Sequence, residues 1–207
     1  GPQSFPRRRF SWSLVPAILG HRPTRLAIGG YLGHMWELYA MWNWIPAFLA
    51  ASSIRTLGPH AAEAFAFAAI ATGALGSVWG GWLADRRGRP FVVNLSMAAS
   101  GACALIVGFF FTGSLWILAP IVLIWGFFVV SDSAQFSAMV TESAPADAVG
   151  TALTLQTSMG FLLSMATIQA VPRIMSVHGW TWAFAILAIG PFLGIVAIRR
   201  FQRLKAA

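Results

Sequence analysis

Apolar residues run along this chain in long blocks separated by short polar breaks. Six blocks can be traced, at roughly 26–52, 61–84, 90–111, 115–140, 148–171 and 180–198. Each approaches the ~20 apolar residues that a helix needs to cross a bilayer. None shows the ~10-residue alternation of a membrane β-barrel strand. The breaks carry turn residues: Leu57-Gly58-Pro59, Arg87-Gly88-Arg89-Pro90, Thr112-Gly113-Ser114, Ser143-Ala144-Pro145 and Val177-His178-Gly179. The pattern predicts an all-α membrane protein with six transmembrane helices over 26–198. A basic segment at 1–25 precedes them and a basic tail at 199–207 follows. Residues 12–19 form a further apolar stretch, interrupted by Pro16, too short to span and suited to lie on the membrane surface. Gly1-Pro2 reads as the scar of a cleaved expression tag.

Composition supports this reading. Of 207 residues, 57% are hydrophobic and 10% charged, against about 25% charged in an ordinary soluble domain. Six spans leave room for little besides loops. The single cysteine, Cys103, excludes a disulfide within the chain.

The net charge of +8 would point to nucleic acid in a soluble protein, so the positions of the bases matter. With six spans, one side carries Arg7, Arg8, Arg9, Arg22, Arg25, Arg86, Arg87, Arg89, Arg199, Arg200, Arg203 and Lys205, and the other only Arg55 and Arg173. The positive-inside rule then places both termini in the cytoplasm of a multi-pass protein of the cell (inner) membrane. Topology explains the charge and removes the case for nucleic acid. Trp116, Trp180 and Trp182 fall near span ends, as aromatic anchors do. Trp36, Trp42 and Trp44 lie deeper, where packing or lining a cavity are both open.

Ionisable groups in hydrocarbon are costly and stand out as functional candidates. His34 and Glu37 lie three residues apart near the middle of the first span, one turn apart on one face. They can exchange protons or bind a solute, or they can form a structural His–Glu hydrogen bond. Asn43 and Pro46 follow on the same span, where Pro46 makes either a gating bend or a plain helix end. Asp132, with Gln135 at i+3, falls in the inner part of the fourth span; it faces a polar cavity or a basic loop residue, or it snorkels to the surface. Gln156 and Gln169 read as interhelical hydrogen bonders. Glu63 reads as a first-turn acid. Gly76 and Gly80 form a GxxxG pair suited to close helix packing. The residues ask for no metal and no cofactor. An intramembrane enzyme is disfavoured, since neither a G-x-S-G nucleophile signature nor an H-E-x-x-H motif occurs.

The sharpest local signal is Gly81-Trp82-Leu83-Ala84-Asp85-Arg86-Arg87-Gly88-Arg89-Pro90, between the second and third spans. It resembles the G-x-L-A-D-R-x-G-R-[RK] loop of the major facilitator superfamily, matching at Gly81, Leu83, Ala84, Asp85, Arg86, Gly88 and Arg89 and departing at Pro90. A second loop, Glu142-Ser143-Ala144-Pro145-Ala146-Asp147-Ala148-Val149-Gly150, resembles the family's E-x-x-P-x-x-x-x-G loop, with Val149 in place of the usual Arg. The resemblance implies the C-terminal six-helix half of a transporter, two inverted three-helix repeats behind a basic linker. It also implies a cytoplasmic latch between Glu142 and Arg86 or Arg89, a first span lining the cavity, and second and fifth spans that turn their small residues to the missing half. The expected partners are the lipid bilayer, a small solute, and the missing N-terminal half or a second copy. The function so implied is proton-coupled transport by alternating access. An excised or engineered half that self-associates as a homodimer or scaffold is the alternative.

Overall fold

The structure, a computed structural model, describes residues 10–206. Gly1 and Pro2, Arg7, Arg8 and Arg9, and the side chain of Lys205 lie outside what is described. Among the described residues every regular element is helical. A short helix α1 (Val15–Gly20) carries Pro16 in its first turn, where a missing N–H costs nothing. It leads into α2 (Arg22–Ala51), α3 (Ala61–Arg87) and α4 (Arg89–Ile106), with a 3-10 turn extending α4 to Phe110. Then come α5 (Leu115–Ser131), α6 (Ser133–Ser143), α7 (Val149–His178), the single turn α8 (Trp180–Ala183) and α9 (Ile189–Ala206).

Five helices are long and apolar enough to cross a membrane: Ala61–Arg87, Arg89–Phe110, Leu115–Ser143, Val149–His178 and Trp180–Leu204. They correspond to the second to sixth expected spans. The first expected span falls in α2, which at 30 residues is ample in length but is not among the five. Its His34, Glu37 and Asn43, with five Trp and Tyr residues between Tyr31 and Trp44, lower its apolar character. α2 is nevertheless the hub of the bundle. It packs on α9, α7, α6 and α3, and the packing buries His34 and Glu37 while Asn43 stays exposed.

Proline and aspartate set the element limits differently from the block pattern. Pro46 neither ends nor breaks α2, which continues to Ala51. Pro172 sits inside α7, carrying that helix to His178, beyond the expected limit at 171. The fourth block is interrupted at Asp132, where α5 stops and α6 begins. Gly88 makes the reversal from α3 to α4 at φ 83°, a left-handed conformation open to glycine and strained for other residues.

The expected use of the small residues of the second span is corrected. Ala62, Ala66, Ala69, Gly73, Gly76 and Gly80 are buried on one stripe of α3, and that stripe packs on α5 inside the unit. A Cβ on Gly73 would come within 2.6 Å of Val130 Cγ2, and one on Gly76 or Gly80 would collide with the backbone carbonyls of Phe127 or Ser131. The outward face of α3 carries large apolar residues instead, Phe67, Leu75, Val78 and Trp82.

The interior has two apolar cores with a polar belt between them. One core gathers Leu38, Met41, Ile45, Cys103, Val107, Leu118 and Trp125. The other gathers Ala27, Ile28, Val93, Met97, Phe136, Met139 and Ile198. Along α2, α4 and the α5–α6 pair alike, the chain passes from one core to the other through buried polar residues: His34 and Glu37, Ser96 and Ser100, and Ser131 and Asp132.

Candidate functional site

The belt is built where α2, α4, α5 and α6 meet. Glu37 is 2% exposed and accepts two hydrogen bonds. The Ser100 hydroxyl donates to Oε2 at 2.8 Å and the Trp125 indole N–H donates to Oε1 at 2.7 Å. Both donors are neutral. Among the described residues no cation lies within ion-pair distance of this carboxyl.

Asp132, also 2% exposed, is held differently. Its Oδ1 lies 3.0 Å from His34 Nδ1. The approach is close but off the line of a directed hydrogen bond, since Oδ1 accepts no hydrogen bond among the described residues. The other ring nitrogen, Nε2, lies 3.1 Å from the Ser133 hydroxyl. The tautomer sets the direction of this bond: an unprotonated Nε2 accepts from the hydroxyl, and a protonated one donates to it. Beside it the Ser131 hydroxyl donates to Ser96 Oγ at 2.6 Å, tying α5 to α4.

At each position this arrangement excludes one of the alternatives that the sequence left open. His34 and Glu37 share a helix face, yet they do not bond to each other: each reaches across to a different helix. Asp132 does not snorkel, because the break between α5 and α6 turns it inward to His34. Sequence reasoning missed Ser100, Trp125 and Ser133. Trp125 left a signal: it stands mid-block rather than at a block end, and an indole N–H at that depth needs an acceptor.

At the end of the bundle where α4 starts, a second group forms. Arg89 Nε donates to Glu142 Oε1 at 2.8 Å, and Arg89 Nη1 donates to Gln135 Oε1 at 2.9 Å. One guanidinium thus spans the start of α4 and both ends of α6. Gln135 belongs to this group rather than to Asp132. Arg86 is turned away, its guanidinium 4.0 Å above the Trp82 ring. Asp85 is exposed and makes no hydrogen bond or ion pair among the described residues. Gly81 has open space where a Cβ would stand.

The remaining candidates stand apart. Asn43 is exposed, two turns along α2 from Glu37. Gln156 is fully buried on α7, and among the described residues neither of its amide atoms finds a partner, contrary to its expected interhelical bond; Gln169 is exposed. Trp36 and Trp44 are packing residues whose indoles donate to the carbonyls of Ile186 and Ile168 at 3.0 and 2.8 Å. Glu63 sits in the first turn of α3 as expected. Among the described residues no three His, Cys, Asp or Glu side chains gather to hold a metal ion. No protein-family model matches this chain, and no curated protein matches it either.

Proposed function

We propose that this chain is a six-helix half of a secondary transporter of the major facilitator type, with α2 as the sixth crossing helix, moving a small solute by alternating access coupled to protons. The observation that carries the reading is the polar belt. Two carboxyl groups and an imidazole are buried at the centre of a bundle whose other helices are apolar, and such groups at membrane depth are retained for function. Glu37 meets α4 and α5 whereas His34 meets Asp132 and α6, so a proton passing between them crosses from one helix interface to the next. The Arg89–Gln135–Glu142 group serves as the latch at the basic, cytoplasmic end, and exposed Asp85 and Arg86 are free to take partners in another state. The likeness to the superfamily rests on its two loop motifs. The large apolar side chains on the outer face of α3 provide a surface for the other half.

The test uses the full chain in liposomes, loaded with a pH-sensitive dye and screened against a panel of small solutes under an imposed proton gradient. A solute that brings protons in with wild type, and fails to do so with Glu37→Gln while solute counterflow continues, supports the reading. Solute-driven proton entry that is unchanged by Glu37→Gln removes Glu37 as the coupling group.

A homodimeric assembly without transport is the second reading, favoured by the same outer stripe of α3. Cross-linking of Val78→Cys in membranes, with no solute movement for any member of the panel, would support it over the first.

A further inference from the structure

α7 and α9 both pack along α2, yet they barely touch one another. Between them runs a groove with α2 as its floor. Two adjoining cavities of about 290 and 380 Å3 fill it, sharing Leu32 and Leu163. Gly29, Leu32, Gly33 and Trp36 form the floor, and Leu163 and Leu193 stand on the walls. The lining is apolar, so the groove offers nothing to a polar solute. One end is closed: the Trp36 indole is pinned to the Ile186 carbonyl at 3.0 Å, and α8 packs against α7 there.

Beyond the other end the flanking residues are basic. On α2 the floor residues recur at helical spacing, and the same face continues backward to Arg25 and Arg22. On α9 the face of Ile189 and Leu193 continues forward to Arg200 and Arg203. All four arginines are exposed, and among the described residues none has a carboxylate within ion-pair distance. Arg25 is fixed at the mouth, its Nη1 donating to the Leu19 carbonyl at the end of α1 at 2.9 Å. From Arg25 to Trp36 the groove is ~16 Å long at the rise of an α-helix, which is half of the ~30 Å hydrocarbon core. An apolar slot with cations beyond one end has the chemistry to take a phospholipid with a net negative head.

We propose that the groove between α7 and α9 is a binding site for an anionic phospholipid, with an acyl chain along Gly29, Leu32 and Gly33 and the phosphate at Arg25 and Arg200. The site depends on membrane embedding and is independent of whether the chain transports a solute.

The full chain is purified in micelles containing equal amounts of phosphatidylglycerol and phosphatidylcholine, and the lipids that stay bound are counted by native mass spectrometry. Each basic side chain at a membrane surface favours an anionic lipid by about fivefold. Wild type is expected to retain phosphatidylglycerol over phosphatidylcholine by tenfold or more, on the order of two such contributions. Arg25→Gln with Arg200→Gln brings that preference close to unity. Leu193→Trp, which fills the groove from an exposed position, displaces both lipids. Arg86→Gln with Arg87→Gln removes as much charge from the same end of the bundle, off the groove, and leaves the preference intact. The proposal is overturned if wild type shows no preference, or if the Arg86/Arg87 variant loses as much as the Arg25/Arg200 variant, since the effect is then diffuse surface charge. It is also overturned if no lipid is retained and Leu193→Trp instead separates a dimer, since the groove then holds a second copy.

Discussion

Glu37 and Asp132 are sealed in the same belt to the same degree, yet opposite means hold them. Asp132 stands beside an imidazole, which can supply a compensating charge. Glu37 stands between a hydroxyl and an indole, which can supply only hydrogen bonds. Electrostatics in a low-dielectric interior make these two solutions unequal. A buried ion pair is weakly stabilising as a whole, but strongly destabilising when one member is removed. A carboxyl held by neutral donors loses one hydrogen bond at a time. The contrast locates the fragile point of the bundle at the α2–α6 contact rather than at the α2–α4–α5 contact.

The largest effect is therefore expected at His34. His34→Leu leaves Asp132 buried without its partner and should cost about 3–5 kcal/mol. The double variant His34→Leu/Asp132→Leu should recover most of that loss, because no isolated charge remains. Unfolding of the purified chain in mixed micelles of rising denaturant checks both. If the double variant is no more stable than the single one, the His34–Asp132 contact is not a compensating pair and the comparison fails at its first term.

A smaller loss is expected around Glu37. Trp125→Phe keeps a ring between the cores and removes the N–H that meets Oε1, costing about 1–3 kcal/mol for a buried acceptor left short of a donor. Ser100→Ala removes the second donor at about 1 kcal/mol. Glu37→Gln keeps an acceptor for one of the two donors and should fall at or below the Ser100→Ala cost. In the same unfolding assay, a Glu37→Gln loss as large as that of His34→Leu would invert the ranking.

Much of the frame was legible because lipid leaves few choices. A bilayer demands long apolar helices with their backbones satisfied internally, and five of the six blocks became helices of that kind. The errors fall where a side chain, not the solvent, decides the backbone. Pro46 was read as a bend or a helix end but is carried within α2, α7 runs on through Pro172 past the expected limit at 171, and Asp132 was read as mid-helix although its contact with His34 accompanies a break. Spacing along one helix placed His34 and Glu37 on a common face. It said nothing of Ser100, Trp125 or Ser133, which come from other helices and are brought near only by packing. The small residues of α3 show the same limit: the GxxxG spacing announced a close approach without saying to which helix, and that helix is α5.

The smallest effect lies outside the belt, and it tests whether burial rather than charge makes the contrast. Arg89 and Glu142 also set a basic side chain against a carboxylate, but their side chains are 35% and 46% exposed. Water screens them, and such pairs contribute on the order of 0–1 kcal/mol. Arg89→Gln should lower stability by no more than about 1 kcal/mol, since the amide can still reach Gln135 or water and Glu142 can turn to solvent. Its effect should instead be local: faster amide hydrogen exchange over the start of α4 and the end of α6, with exchange around His34 unchanged. If Arg89→Gln costs as much as His34→Leu, the exposed group is a structural clasp, and depth in the bundle is not what separates the two kinds of carboxylate.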